Sequence, residues 1–301
     1  MKQYTQQIAM VRPAAFGYNE QTAADNHFQQ IPENNEALQA IAVQEFDAMV
    51  ALLQDNGIDV LVLEDNAPPY KPDAVFPNNW FCCNKDMIQV FPLYAPNRRL
   101  EKNWQMIDAI KDRTGIAVVK DWGAYEEKNM FLEGTGSVVI DHVFNIAYAC
   151  ISARTSEALF LQFCKENNYL PIAFTAADAE GRDIYHTNVM MALGEKLAIL
   201  CLDAIKEEID RKKIVHELQT TGHTIIAISF EQMQQFAGNM LELINDKKER
   251  LLVMSQTALR SLTAAQVAAI EQYDRIVAPD VSHIEKTGGG SVRCMMAELF
   301  Y

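Results

Sequence analysis

The chain has 301 residues, 49% of them hydrophobic and 22% charged, and 26 Lys and Arg against 40 Asp and Glu give a formal net charge of −14. This is the composition of a globular protein long enough to bury a large core. The acidity argues against nucleic acid, since only Lys247-Lys248 and Arg211-Lys212-Lys213 form basic runs, and equally against a polybasic membrane surface.

The N-terminal part predicts a strand at Ala9–Arg12, a helix around Asn35–Asp55 and a strand at Asp59–Leu63. Five similar segments follow in chain order: Val75-Phe76-Pro77-Asn78-Asn79-Trp80-Phe81, Phe131-Leu132-Glu133-Gly134-Thr135-Gly136-Ser137-Val138, Tyr185-His186-Thr187-Asn188-Val189-Met190, Phe236-Ala237-Gly238-Asn239-Met240-Leu241 and Gly288-Gly289-Gly290-Ser291-Val292-Arg293-Cys294-Met295. Each puts small or polar residues ahead of an apolar, strand-like run, and the copies start roughly 50–56 residues apart, near the range of repeat architectures. A second apolar run comes next, at Met87–Phe91, Val143–Ala149, Lys196–Leu202 and Arg250–Met254. Helical stretches then carry apolar residues at i, i+3, i+4, as in Phe160, Phe163, Cys164 or Ala264, Val267, Ala268. A third strand closes each unit, at Ile116–Val119, Ile172–Phe174, Thr224–Ile228 and Arg275–Ala278.

The N-terminal strand, helix and strand supply the closing half of the fifth unit. Five strand–strand–helix–strand units imply one closed α/β ring over residues 1–301, a single domain in which each unit covers its neighbour's apolar face. An open doubly wound sheet is the alternative; the repeat favours the ring.

No apolar run reaches the ~20 residues of a membrane span, and Met1–Phe16 lacks the apolar core of a signal peptide. Six cysteines without metal-like spacing are no disulfide framework, so a reducing cytoplasm is the expected compartment. Cys82 and Cys83 share a strand-like run, where alternation points them to opposite faces. Five of the six read as core thiols, leaving Cys294 to its context.

In a ring, the heads of the repeats face one opening, so Asn78, Asn79, Glu133, His186, Asn188, Asn239, Arg293 and Cys294 would converge. Cys294 follows a tri-glycine loop that can present a thiol, and Arg293 beside it would favour the thiolate. The competing reading is a buried cysteine in a last strand, Val292–Leu299. His186 is the histidine in register with Cys294 and suited to move a proton at neutral pH, with His283 as its substitute. Glu133, at a bend between apolar residues, would bind a cationic or N–H-bearing group or orient His186. Asp73, beside Pro72, reads as either a turn former or a site acid. Metal binding, a phosphate loop, a dinucleotide fingerprint and a serine elbow are not signalled, so neither metal nor organic cofactor is expected.

These segments together resemble the pentein superfamily of guanidino-group-modifying enzymes, and within it the citrulline-utilisation hydrolases and dimethylarginine dimethylaminohydrolase-like proteins. Phe131–Gly136, His186-Thr187-Asn188, Gly288–Cys294 and Phe76-Pro77-Asn78-Asn79-Trp80 carry the likeness. It implies a five-bladed α/β propeller with Cys294 as nucleophile, His186 as general acid/base and Glu133 as the carboxylate at the substrate nitrogens. Arginine deiminases and dimethylargininases carry acids where this chain has Asn79 and Asn188, and an arginine where it has Asn78. Amides suit a neutral ureido group, around which carboxylates would leave desolvated charges unpaired.

The leading expectation is therefore a cysteine-dependent C–N hydrolase of a small ureido or guanidino amino acid, foremost citrulline to ornithine, carbon dioxide and ammonia. Asn79, Asn78, Asn188, Asn239 and Asp73 would bind the substrate, with Arg293 or Arg12 at its carboxylate, and a homodimer is left open. Hydrolysis of dimethylarginine, succinylarginine or arginine, amidino transfer, and a pentein-fold binding protein without chemistry are the alternatives.

Overall fold

A computed structural model describes residues 2–32, 37–84 and 86–301. Its strands, in chain order, are β1 (Gln7–Arg12), β2 (Asp59–Glu64), β3 (Phe81–Asn84), β4 (Met87–Val90), β5 (Val119–Asp121), β6 (Val138–Asp141), β7 (Ile146–Cys150), β8 (Leu170–Phe174), β9 (Met191–Leu193), β10 (Leu197–Leu200), β11 (Thr224–Ala227), β12 (Leu241–Ile244), β13 (Arg250–Val253), β14 (Arg275–Val277) and β15 (Ala297–Glu298). They form five three-stranded sheets: β15-β1-β2, β3-β4-β5, β6-β7-β8, β9-β10-β11 and β12-β13-β14. In each, the middle strand runs antiparallel to the first and parallel to the third.

The parallel step needs a crossover, which helices supply: Leu38–Asp55, Trp104–Thr114, Glu157–Asn167, Glu208–Thr220 and, in the fourth unit, the pair Gln256–Ser261 and Ala264–Ile270. Phe46, Met49 and Leu53 of the first helix join Ile8 and Met10 of β1 in one core; a side chain of this size contributes about 1.5–3 kcal/mol when fully buried. The C-terminal β15 pairs with β1, so chain start and chain end share a sheet, and Cys83 and Leu299 bridge that sheet to the next. First strands lie beside one another, β15 by β3, β6 by β9 and β9 by β12, which puts the first strand of each sheet innermost. This is the five-bladed α/β arrangement that the repeat implies.

Several boundaries differ from the pattern in the sequence. β7 starts at Ile146 because Asp141 Oδ1 accepts the N–H groups of Val143 and Phe144, and Asn145 turns the chain at φ 56°. The strand expected at Ile116–Val119 begins at Val119, after Gly115 ends the preceding helix at φ 73°. Ala264 and Ala268 are exposed, and Ile270 anchors that helix instead. The start of the expected helix at Asn35 lies outside the described residues. Among the described residues, no helix is long and apolar enough to cross a membrane.

Candidate active site

Every residue that heads a repeat lies just ahead of the innermost strand of its sheet, in a tight turn. Pro77–Asn79 is a single helical turn before β3, Gly134–Ser137 another before β6 and Thr187–Met190 a third before β9. Ser291–Met295 turns before β15, with Cys294 N donating to Ser291 O at 2.9 Å, so the expected strand Val292–Leu299 shrinks to Ala297–Glu298. Two glycines let the turns meet. A Cβ on Gly134, which sits at φ 48°, would lie 2.2 Å from Asn78 O, and one on Gly136 would lie 2.4 Å from Asn79 Nδ2 and 2.9 Å from the His186 ring. The tri-glycine is not an open loop: Gly289 ends the helix Ser282–Gly288 in the left-handed conformation, and all three glycines are buried.

Glu133 is 0% exposed and His186 2%. Glu133 Oε2 lies 2.8 Å from His186 Nε2, while Oε1 accepts the backbone N–H of Tyr94 at 2.9 Å. Arg154 Nη1 and Arg98 Nη1 stand 3.6 Å and 3.9 Å from the same Oε2. Burial alone would raise the Glu133 pKa, but Arg154, His186 and Arg98 outweigh it and bring it down to about 2. Burial lowers the His186 pKa below its ordinary value against the opposing pull of Glu133, and the two arginines lower it further. The site thus pairs an ionised carboxylate with a neutral imidazole. Because the carboxylate accepts, Nε2 carries the proton and Nδ1 the free lone pair.

Cys294, 5% exposed, receives two amide donors: Asn239 Nδ2 at 3.3 Å and Asn188 Nδ2 at 3.4 Å from Sγ. Burial pushes the thiols of Cys83, Cys150 and Cys164 up to about 12, that of Cys201 up to about 11 and that of Cys82 up as well. These five sit among apolar neighbours. Asn188 Oδ1 is buried without a hydrogen-bond partner.

Asn78 and Asn79 join Glu133 through Arg98. Arg98 donates to Asn79 Oδ1 at 2.7 Å, to both oxygens of Glu101 at 2.9 Å and to Phe76 O at 3.3 Å. Asn79 Nδ2 donates to Asn78 Oδ1 at 3.1 Å. Arg98 Nε also lies 3.7 Å from Asp73 Oδ2, which accepts from Asn19 at 2.7 Å and Thr22 at 3.3 Å; Asp73 Oδ1 is buried and unpartnered. Burial raises the Asp73 pKa against the pull of Arg98.

Arg98 and Arg154 were not singled out in the sequence. Both are buried in the segments that follow the middle strand of their sheets, where no pattern in the neighbouring residues sets them apart. The segment around residues 19–29 was missed too. It straps the opening: Asp25 takes Arg154 through two bonds of 2.8 and 2.5 Å, and Asn26 donates to Gly288 O and Gly289 O. The two arginines proposed for the substrate carboxylate sit elsewhere. Arg293 spends its guanidinium on Met296 O at 3.0 Å and Glu298 at 2.7 Å, and Arg12 pairs with Asp47 at the surface. His283, the substitute base, is bound to Glu45 at 2.7 Å with its side chain largely exposed. Among the described residues, no group of three or more His, Cys, Asp or Glu could hold a metal ion.

The sequence profile of the family described as "N,N dimethylarginine dimethylhydrolase, eukaryotic" matches residues 12–301. Comparison with curated proteins gives no significant match. Among solved structures, the fold is similar to ArgZ, an arginine dihydrolase from the ornithine-ammonia cycle in Cyanobacteria, at a TM-score of 0.74 and 15% identity over 98% of this chain. The chain spans 40% of that full-length protein and 98% of its separately solved N-terminal domain, which it matches at 14% identity and a TM-score of 0.74. It is also similar to a dimethylarginine dimethylaminohydrolase bearing an adduct with S-methyl-L-thiocitrulline, at a TM-score of 0.68 and 16% identity over 98% of this chain and 99% of that one. At these identities the structural likeness speaks for the fold, while the profile speaks for the family. A profile that follows the chain from Arg12 to Tyr301 leads to one conclusion: the chain belongs to the family described as N,N dimethylarginine dimethylhydrolase, eukaryotic.

Proposed function

We propose that residues 1–301 act as one domain that hydrolyses a C–N bond in the ureido or guanidino group of a free amino acid. Cys294 is the nucleophile, His186 the proton carrier and Glu133 the carboxylate that orients it. The observation that carries this reading is the pairing, at one set of inner-strand heads, of a sulfur held by two amide donors with a neutral imidazole held by an ionised, buried carboxylate. That is a nucleophile, a base and an orienting group.

The imidazole takes the thiol proton, and sulfur bonds to the central carbon, which becomes tetrahedral. His186 returns the proton to the departing nitrogen as the C–N bond breaks, leaving a carbamoyl or amidino group on sulfur. Water, giving a proton to His186, then adds to that carbon; the C–S bond breaks and His186 returns the proton to sulfur. The carbamoyl group leaves as carbamic acid, which falls apart to carbon dioxide and ammonia, while an amidino group leaves as urea. These steps use side chains and water only.

The amino-acid head is read from the charges around the opening. Arg154 offers a buried guanidinium and Asp73 a buried carboxylate oxygen without a partner, the complement of an α-carboxylate and an α-ammonium. Asp25 and Asn19 of the strap hold these two groups in place. At the reacting end, the unpartnered Asn188 Oδ1 calls for an N–H donor, and amides favour the neutral ureido group of L-citrulline, giving ornithine, carbon dioxide and ammonia. L-Arginine is the second reading, favoured by the likeness to the cyanobacterial arginine dihydrolase.

The test is incubation with citrulline, arginine, dimethylarginine and succinylarginine, with assay of ammonia, ornithine and citrulline. Ornithine from citrulline, abolished in Cys294→Ala, supports the lead. Citrulline accumulating from arginine overturns the ureido preference. No turnover of any of them, with a Cys294 of ordinary reactivity, returns the chain to a binding role.

A further inference from the structure

Asn239 heads the fourth repeat, as Asn188 heads the third, yet the two amides are bound differently. Asn239 has both amide protons and one lone pair of its oxygen committed within the protein. Its Oδ1 accepts the backbone N–H of Arg293 at 3.0 Å, and its Nδ2 donates one proton to Asn188 O at 2.9 Å and the other to Cys294 Sγ at 3.3 Å. The orientation is fixed from both ends: turning the amide over would set its oxygen against the Asn188 carbonyl and its NH₂ against the Arg293 N–H. Sγ therefore always meets a donor there. Asn188 gives Sγ a second N–H at 3.4 Å but keeps Oδ1 unpartnered in a buried position.

The charged neighbour in the sequence does not do this work, because the Arg293 guanidinium is committed to Met296 O and Glu298. The groups around the sulfur are the two amides and Tyr185, whose hydroxyl donates to Gly289 O at 2.8 Å and whose pKa is raised by burial and then by Cys294. Asn239 further ties three sheets together, since Asn188 precedes β9, Asn239 precedes β12 and Arg293 precedes β15.

We propose that Asn239 is a positioning residue for the hydrolysis: an amide locked between the Asn188 carbonyl and the Arg293 N–H, whose remaining N–H aims the Cys294 sulfur and holds its thiolate. Asn188 divides its amide between that sulfur and the substrate. This rests on Cys294 being the nucleophile, and the test is chosen to work without turnover.

Asn239→Asp keeps the size and the acceptor for Arg293 N–H but sets a carboxylate oxygen against the sulfur. Alkylation of Cys294 by iodoacetamide, followed on the peptide that contains it, should slow roughly 10- to 100-fold, the effect of one charge-assisted hydrogen bond. On whichever substrate the wild type turns over, kcat should fall by a similar factor with KM within about threefold, whereas Asn188→Ala should raise KM as well. Asn239→Ala removes the donor without adding charge and carries the same readouts if the aspartate variant fails to fold, as judged by circular dichroism. Alkylation of both folded variants at the wild-type rate overturns the proposal, as does a rise in KM with kcat retained, which would make Asn239 a substrate contact. If the wild type turns over nothing while its Cys294 alkylation still depends on Asn239, the hydrolase reading fails and only the hold of Asn239 on the sulfur stands.

Discussion

Glu133 Oε2 and His186 Nε2 lie 2.8 Å apart in a site closed to solvent, although their residues are 53 positions apart in the chain. The carboxylate fixes the tautomer of the imidazole, and Arg154 and Arg98 fix the charge of the carboxylate. Glu133→Gln removes that charge and lets the ring bind in the wrong tautomer. Turnover should fall roughly 10⁴-fold, as when an orienting carboxylate is lost from a catalytic triad. Urea denaturation should show a loss of about 1–3 kcal/mol, because the two arginines lose a shared acceptor but keep Asp25 and Glu101. Retention of wild-type turnover would remove Glu133 from the mechanism.

His186 is neutral at pH 7 because burial and the two arginines lower its pKa below 6.5 despite Glu133. The acid limb of the kcat/KM profile should therefore fall below pH 6.5, and in Arg154→Gln it should move upward, since a lowering charge has gone. Glu133 acts on stability in the opposite sense to a raised acid: its depressed pKa stabilises the fold above about pH 4.5, and that contribution is lost as pH falls from there toward about 2.

Away from the site, Glu242 on β12 lies buried near Asp274, with Arg250 Nε 3.2 Å from the aspartate. Burial and then the Asp274 charge push the Glu242 pKa up to about 8, so Glu242 holds a proton at neutral pH. Its contribution to stability is full below its ordinary value near 4.5 and is lost as pH rises through about 8. Glu242→Gln should flatten the fall in Tm between about pH 6 and about pH 9 relative to the wild type. Parallel Tm curves for the two proteins over that range would show that the pair does not titrate there.

The head-group assignment predicts a dependence on the substrate's own charges. Arg154→Gln should raise KM roughly 10- to 100-fold for an α-amino acid substrate, the loss of one charge-assisted contact. The same substitution should matter far less for the corresponding amine that lacks the α-carboxylate. Equal KM increases for both compounds would move the carboxylate contact away from Arg154.

Gly136 tests the junction of the turns. In Gly136→Ala the new methyl would lie 2.4 Å from Asn79 Nδ2 and 2.9 Å from the His186 ring. Displacing that ring should cut turnover well below a tenth of wild type and cost about 1–3 kcal/mol of stability. A variant with normal Tm and normal turnover would contradict the placement of His186 against this turn.

The residues that head the repeats were legible because a fixed spacing puts them in register: Asn79, Glu133, His186, Asn239 and Cys294 each precede an innermost strand by a few positions. The division of labour between Asn188 and Asn239 was not, because both read as an amide beside a strand and only their partners tell them apart. Arg98 and Arg154 escaped notice because the loops after β4 and β7 place them at different distances from their strands, eight residues in one and four in the other. The strap was illegible for another reason. Asn19, Thr22, Asp25 and Asn26 have the composition of a surface loop, and their function comes from long-range partners at Asp73, Arg154 and Gly288. The one-turn helices were hidden because four residues carry no periodicity to read.

In the proposed hydrolysis Cys294 carries the reacting carbon covalently while His186 moves its protons. Rapid acid quenching during turnover of citrulline or arginine, followed by mass spectrometry of the Cys294 peptide, tests this most directly. The prediction is a carbamoyl- or amidino-sized increment on Cys294 of the wild type, absent in Cys294→Ala and strongly diminished in His186→Gly, where no group remains to protonate the departing nitrogen. A Cys294 peptide of unmodified mass in the wild type, with product still forming, would contradict covalent catalysis at this cysteine.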